Sequence, residues 1–308
     1  MDAQQHKRAI NAWAMYDWAN SAFATTIMAA VLPVYYESVA GANLPGNLAT
    51  VYWAYTTSIS LLVAAVLGPI LGAIADFSGS KKRFLNIFML IGVAGTALLY
   101  FVRTGDWLMA SLFFVIGELG FAGSLVFYDS LLPHVARPDE IDQVSARGYA
   151  MGYLGGGLLL AINLAMIMLA PKELTGLMTR LSFLTVAVWW FIFTLPLLRH
   201  VPEPPRRVLQ GEVGGNPVIV SFKRLAHTFQ EIRRYRDLFI FLVAFWFYND
   251  GIGTIIKMAT IYGAEIGLGQ TTSRAAVLAC LQEFLVERLE RATDGQAVKV
   301  QDIVAGGR

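Results

Sequence analysis

Seven apolar segments constrain the fold of this chain more than any other feature of its sequence. Each is long enough to cross the roughly 30 Å hydrocarbon core of a bilayer as a helix. Charged residues make up only 15% of the chain, against about 25% in soluble domains. The segments lack the two-residue alternation of barrel strands, so they predict an all-α polytopic membrane protein. The predicted spans cover residues 9–36, 51–75, 84–102, 108–132, 148–170, 181–198 and 238–262.

The basic residues between these spans are distributed unequally on the two sides of the membrane. Fifteen Lys and Arg side chains fall on the side of the N-terminus, and three fall on the other side. This bias predicts a cytoplasmic N-terminus and a cytoplasmic loop at 201–236. With no targeting signal visible, we expect a multi-pass protein of a bacterial inner membrane that contacts lipid rather than nucleic acid.

The loop after the second span carries the most specific motif of the chain. Its two glycines, its carboxylate and its three consecutive cations are Gly72, Asp76, Gly79, Lys81, Lys82 and Arg83. Gly79 permits a tight reversal and Gly72 permits close helix approach. The charges can hold an inner gate closed in one conformation and release it in another. Alternatively, the loop is a generic basic segment that only sets the topology.

This motif resembles the loop between the second and third helices of the major facilitator superfamily. Residues 13–24 resemble the opening helix of its vacuolar-effluxer-like family, 128–133 the end of the fourth helix and 248–263 the seventh. The resemblance covers about residues 9–270 and implies a secondary transporter that works by alternating access. The best-known fungal member exports amino acids from the vacuole, so the resemblance implies a small solute such as an amino acid, with protons as a candidate coupling ion.

The resemblance and the composition together predict a domain plan. Residues 1–200 form a six-helix transmembrane bundle, and 237–270 form the seventh helix at the start of a second bundle. Residues 201–236 form a cytoplasmic loop with an amphipathic helix, or alternatively a solvated basic linker. Residues 271–308 read as an atypical soluble tail where the family continues with further spans. We therefore expect a chain truncated or frameshifted after its seventh helix.

Polar residues inside the first and seventh spans are candidate contacts for the solute or the coupling ion. Asp17 and Asn20 lie three residues apart on one face of the first helix. Asn249 and Asp250 lie past mid-membrane on the seventh helix, which corresponds to the first in the second half of the family's fold. The alternatives are helix–helix hydrogen bonds for Asn249 and Asp250, and contacts with basic loop residues for Asp17.

Three further charged residues are predicted to lie within or near the fourth and seventh helices. Glu118 reads as a lone mid-membrane carboxylate, either a proton carrier or a hydrogen-bonded acid. Lys257 also enters the transport set, although an ammonium that extends to the outer interface is favoured. Asp129 is expected to form inner-face ion pairs in a group with Arg137, Asp139 and Arg147. By the resemblance this group is part of the gate; alternatively, it only holds the loop together.

Several features expected of other protein classes are missing. The sequence contains no phosphate-binding loop, its four histidines lie far apart, and Cys280 is its single cysteine. We therefore expect no catalytic residues, no metal site and no cofactor, and a membrane-embedded hydrolase is disfavoured. The alternatives to a transporter are a non-transporting remnant and an assembly partner that supplies one bundle to a second chain or to a homo-oligomer.

Overall fold

The computed structural model describes residues 2–205, 223, 226, 227 and 230–265, except the side chains of 73–78, 260, 261 and 263–265. Its regular secondary structure in these residues is helical, and seven segments are long and apolar enough to cross a membrane. The predicted all-α membrane class and the seven spans are confirmed. The long helices are α1 (Ala3–Ala22), α2 (Leu48–Ser78), α3 (Lys81–Leu98), α4 (Trp107–Val135), α5 (Ile141–Met168), α6 (Thr175–His200) and α7 (Arg236–Glu265).

The first span is a continuous helical rod over Ala3–Ala40 that changes its winding halfway. A capping box begins α1: Asp2 Oδ1 accepts from the backbone of Gln5 at 2.7 Å, and Gln5 Oε1 accepts from the Asp2 backbone at 3.2 Å. After α1 the chain forms a π-helix over Phe23–Ala30, one α-helical turn over Leu32–Tyr35 and a second π-helix over Tyr36–Ala40. Pro33 lies in this region, and a proline removes one backbone donor and disturbs the regular hydrogen-bond ladder.

Glycines set the closest helix contact of the bundle, between α3 and α4. A methyl group added at Gly120 would overlap the backbone of Gly92, and one at Gly95 would lie 2.6 Å from the backbone nitrogen of Gly117. The two helices therefore touch backbone to backbone. Small residues allow this approach inside a membrane, where dispersion contacts replace the hydrophobic effect between helices.

Helix α1 packs against a second glycine ridge, which lies on α5. The sequence predicts a smooth surface at Gly148, Gly152 and Gly156, and the structure confirms it. A side chain at Gly148 would meet the ring of Trp13, and Thr25 Oγ1 donates to the carbonyl of Gly156 at 3.0 Å. This packing brings α1 and α5 together along the half of the span that contains the N-terminus.

The remaining helices complete a six-helix bundle with α7 on its side. Helix α6 packs against α1 and α3, and α2 packs against α4. Helix α7 contacts the segments Phe23–Ala30 and Leu32–Tyr35 of the first span, together with α2. Of the predicted loop and amphipathic helix at 201–236, the structure describes only residues 201–205, 223, 226, 227 and 230–236, and the tail 271–308 falls entirely outside the described residues.

Candidate functional site

A cavity of about 290 Å³ opens between α1, α4 and α5 in the half of the bundle that contains the N-terminus. Helix α4 contributes the C-terminal part of its length, and α5 contributes its first three turns. The polar and aromatic residues of the wall are Trp13, Asp17, Asn20, Ser21, Tyr128, Asp129, Ser145, Tyr149 and Tyr153.

The floor of the cavity is built on the contact between Trp13 and Tyr128. Their rings are stacked with centroids 4.4 Å apart, and Trp13 Nε1 donates to the backbone carbonyl of Tyr128 at 3.1 Å. Gly148 makes room for both rings, because a Cβ there would lie 3.0 Å from the Tyr128 hydroxyl. The Tyr128 hydroxyl and Asn20 Nδ2 are buried, and the hydroxyl lies beside the Asp17 carboxylate, with which it interacts.

Two carboxylates share this cavity. Asp17 is half-buried and lies against Gly152, where a Cβ would be 3.4 Å from its carboxylate carbon, whereas Asp129 is exposed at the rim. The structure thus brings together three residues that the sequence singles out, Asp17, Asn20 and Asp129. The expected ion pairs of Asp129 with Arg137 and Arg147 are absent among the described residues, because its side chain borders the cavity instead.

Glu118 and Lys257 form a buried ion pair that the sequence did not predict. Lys257 Nζ lies 2.7 Å from Glu118 Oε1, and each side chain is about 4% exposed. Trp53 Nε1 donates to the backbone carbonyl of Lys257 at 3.2 Å. The expectations of a lone Glu118 and of a Lys257 ammonium at the outer interface are therefore corrected: inside a membrane the two charges stabilise each other.

Asn249 and Asp250, the candidate transport residues predicted on α7, do not lie at the cavity. Asn249 and Asp250 are exposed, and neither lines the cavity between α1, α4 and α5. Asp250 precedes Lys257 by seven residues, so both lie on nearly the same face of α7, about two turns apart. The structure therefore does not bring Asn249 and Asp250 together with the other candidate pair, Asp17 and Asn20.

The glycine-rich inner motif forms the reversal between α2 and α3. Gly79 has a φ of +63°, the left-handed conformation that glycine adopts readily, so its predicted role in the turn is confirmed. Gly72 has ordinary packing instead, since a Cβ would meet Val126 at 3.5 Å. The predicted close helix approach at Gly72 is therefore not required.

Two cations of this motif connect the helix ends that lie on the side of the N-terminus. Lys81 Nζ donates to the carbonyl of Ser130 on α4 at 3.3 Å, and Lys82 Nζ donates to the carbonyl of Leu198 on α6 at 2.9 Å. Arg83 is exposed, and the side chain of Asp76 lies outside the described residues. The two lysines thus connect α3 to both of its neighbours.

Sequence analysis missed the aromatic wall on α5. Ser145, Tyr149 and Tyr153 recur at intervals of four residues and share one face of that helix. The same spacing separates Trp13 from Asp17 on α1. The sequence signal for this wall was the four-residue spacing of polar and aromatic side chains near the end of an apolar span.

Comparisons with known proteins identify relatives of the chain. A family model described as "Vacuole effluxer Atg22 like" matches residues 48–285, a range that begins and ends later than the predicted 9–270. The relative "Uncharacterized MFS-type transporter YxiO" from Bacillus subtilis (strain 168) is 43% identical over 267 residues, 85% of this chain and 61% of the relative. "Autophagy-related protein 22-1" from Penicillium rubens is 24% identical over 373 residues, 83% of this chain and 62% of the relative.

The Bacillus relative is named as a transporter and the family model as an effluxer, and neither is named as an enzyme. The chain spans about 61% of the length of the Bacillus relative and 62% of the Penicillium relative. No solved structure matches the chain.

Proposed function

Because the chain belongs to the vacuole effluxer Atg22 like family, we propose that it forms the solute path of a secondary transporter that works by alternating access. The solute is small, in the size range of an amino acid, and a proton gradient drives its movement. The membrane is a bacterial cell membrane, and the N-terminus lies in the cytoplasm. The Bacillus relative supports the assignment of the membrane. The bias of basic residues supports the cytoplasmic N-terminus.

The observation that carries this proposal is the position of the cavity relative to the Glu118–Lys257 ion pair. The cavity lies near the ends of α1 and α4 that meet the inner motif. Lys257 lies 21 residues after Arg236, about 31 Å along α7, and therefore towards the opposite side of the membrane. A site open on one side and a contact closed on the other is the arrangement that alternating access requires.

The ion pair acts as the outer closure in this mechanism. Lys257 is the single buried residue of α7 among those whose side chains the structure describes, and its side chain makes a charged contact between the seventh helix and the bundle. Separating two buried charges is costly unless something replaces the attraction. The closure therefore opens only when Glu118 or Lys257 gains another partner.

A proton taken up by Glu118 provides that replacement. Glu118 Oε2 is buried and has no hydrogen-bond partner among the described residues, and it lies on the carboxylate that holds Lys257. Protonation removes the negative charge, which weakens the attraction to α7 and favours the outward-open state. The lysine tethers at the inner motif loosen in the opposite half of the cycle.

Flux measurements on the purified full chain in proteoliposomes test this function. Radiolabelled lysine, leucine and glutamate are supplied separately, with and without an imposed pH gradient. We expect uptake of at least one solute, stimulation by the gradient, and loss of that stimulation in Glu118→Gln with exchange flux retained. Asp139→Asn, an exposed carboxylate on the same side as the cavity, is the matched control. No flux of any solute in any condition contradicts the proposal.

A second candidate function follows from the exposure of α7. Its side chains other than Lys257 are exposed or only partly buried among those described, which leaves most of the helix available to another bundle. In this alternative the chain supplies one bundle to a second chain. Cross-linking in native membranes that yields a defined oligomer, with flux only in the oligomer, favours this alternative; a monomer without flux favours a non-transporting remnant.

A further inference from the structure

We propose that a basic groove at the ends of α1, α3 and α6 binds the phosphodiester headgroup of an anionic phospholipid, from the membrane leaflet on the side of the N-terminus. The groove has a volume of about 440 Å³, and its polar wall consists of Gln5, Arg8, Lys82, Arg199 and His200. It is separate from the cavity between α1, α4 and α5, and the proposal does not depend on transport.

The charges at the groove favour an anion. Arg8 lies in the second turn of α1, Lys82 at the start of α3 and Arg199 at the end of α6. No Asp or Glu of the described residues lines the groove, although the Glu203 carboxylate contacts the start of α3. Three cations against this one carboxylate leave two positive charges when His200 is neutral, and cations gathered from three helices bind an anionic headgroup at a membrane surface.

The helix ends at the groove favour the same charge. The start of a helix stabilises an anion, and Glu203 Oε1 already accepts from the backbone N–H of Lys82 at 3.0 Å. Carbonyls at the end of α6 would repel an anion, but donors cover two of them. Lys82 Nζ donates to the carbonyl of Leu198 at 2.9 Å, and His200 Nδ1 donates to that of Pro196 at 3.0 Å.

An exposed apolar stripe on α6 runs from the groove towards the middle of the bilayer. Val188 and Ile192 are 55% and 50% exposed. They precede Arg199 by eleven and seven residues, so all three side chains share one face of the helix. The stripe is about 16 Å long, close to half of the roughly 30 Å hydrocarbon core. An acyl chain of one leaflet therefore fits along it, below a headgroup at Arg199.

Helix α3, which packs against α6, carries a similar pattern. Arg83 is exposed near its start, and Ile87 and Leu90, 42% and 43% exposed, follow at four and seven residues. Each helix thus has an exposed apolar face that ends in an arginine on the side of the N-terminus. A free phosphate would contact only the cations, whereas a phospholipid contacts the cations and the apolar faces.

Native mass spectrometry of the purified full chain in detergent micelles tests the inference. The protein is supplied with dioleoylphosphatidylglycerol or dioleoylphosphatidylcholine, which have the same acyl chains and differ in headgroup charge. We expect stronger retention of the anionic lipid. The preference should fall about fivefold in each of Arg8→Gln and Arg199→Gln, since one basic residue near an anionic lipid surface contributes about that factor.

Arg147→Gln is the matched control, because Arg147 is an exposed arginine near the start of α5 and lies outside the groove. It should keep the preference for the anionic lipid. Arg8 and Arg199 are also exposed, so their substitution leaves the packing intact, and unchanged thermal midpoints verify this.

Photolabelling locates the bound lipid. One equivalent of a phosphatidylglycerol with a diazirine midway along one acyl chain is irradiated with the protein, and the labelled peptides are identified by mass spectrometry. We expect the label on α6 around Ile192 and its loss in the double variant Arg8→Gln, Arg199→Gln. A label confined to helices other than α3 and α6 overturns the inference.

Other outcomes also overturn it. Equal retention of the two lipids, or a preference that both arginine variants keep, shows that these charges do not select a lipid. Calorimetric binding of inorganic phosphate that the double variant loses, without a preference between the lipids, assigns the groove to a free phosphate. A dimer in the mass spectrum that the double variant loses assigns the groove to a second copy of the chain.

Discussion

Lys257 Nζ lies 2.7 Å from Glu118 Oε1, and this contact joins α7 to a bundle from which the helix is otherwise largely exposed. The two residues are 139 positions apart in the chain. The most buried side chain of a membrane-spanning helix is thus a charged one. Its partner Glu118 adds a charged contact to the packing of Met258 against the core.

Removal of the lysine from this pair is expected to destabilise the protein strongly. Lys257→Met leaves Glu118 buried without its partner, and breaking a buried pair in this way costs about 3–5 kcal/mol. We expect a clear fall in the thermal unfolding midpoint of the purified protein in lipid nanodiscs, followed by tryptophan fluorescence. Lys172→Met, at an exposed lysine between α5 and α6, should leave the midpoint unchanged.

The double variant Glu118→Leu, Lys257→Met separates the loss of the pair from the loss of packing. It removes both charges, so most of the stability should return relative to Lys257→Met alone. A double variant that is no more stable than Lys257→Met would contradict a direct interaction between these side chains.

Gly120 is expected to tolerate no side chain. The Cβ of Gly120→Ala would overlap the backbone of Gly92, which cannot move as a flexible side chain can, so we expect a loss of about 1–3 kcal/mol or more. Gly176→Ala is the matched control, because a Cβ there meets nothing within 4 Å. Alanine also favours helix over glycine by about 1 kcal/mol. The yield of monodisperse protein and its thermal midpoint should fall only in Gly120→Ala.

Glu140 is expected to make stability depend on pH in the acid range. Its carboxylate accepts from the backbone N–H of Arg137 at 2.8 Å and lies 2.5 Å from His6 Nε2. The Arg137 hydrogen bond, and next to it His6, lower the pKa of Glu140 from its ordinary value of 4.5. Since the pKa is lower in the folded state, this stabilisation is complete above about pH 4.5 and is lost as the pH falls through the folded-state pKa.

The corresponding measurement compares the native chain with Glu140→Gln across pH. The difference in thermal midpoint should shrink as the pH falls below 4.5. Asp142→Asn, a neighbouring exposed carboxylate, provides the comparison for general charge effects. A difference that grows on acidification has the wrong sign for this interaction.

The orientation of the bundle can be read by cysteine labelling in a Cys280→Ser background. Asn47 lies in the exposed connection before α2, and Arg137 lies in the exposed connection between α4 and α5. An impermeant maleimide should label Asn47→Cys in intact cells and Arg137→Cys only after permeabilisation. The reverse pattern would place the N-terminus outside and contradict the orientation inferred from the basic residues.

The spans were predictable from sequence because hydropathy and length are local properties. The turn at Gly79 and the glycine ridge of α5 were predictable for the same reason, since each depends on a few neighbouring residues. The shared face of Asp17 and Asn20 follows from the helical repeat alone. These features need no knowledge of which helices touch.

The partner of Glu118 could not be predicted in this way. Spacing within one helix does not indicate which helix a carboxylate faces, so Glu118 appeared alone and Lys257 appeared to extend to the interface. The aromatic wall of the cavity was missed for a related reason. Tyr149 and Tyr153 near the end of a span resemble interfacial residues until the packing of α1 against α5 places them beside Asp17.

The long separation between Glu118 and Lys257 has a consequence for biosynthesis. At about 5–20 residues per second, a ribosome needs roughly 7–28 s to make the 139 residues that separate them. During that interval the nascent bundle holds a carboxylate without its lysine inside the bilayer. Every newly made molecule therefore passes through a stage in which Glu118 lacks this partner, and synthesis of α7 ends that stage.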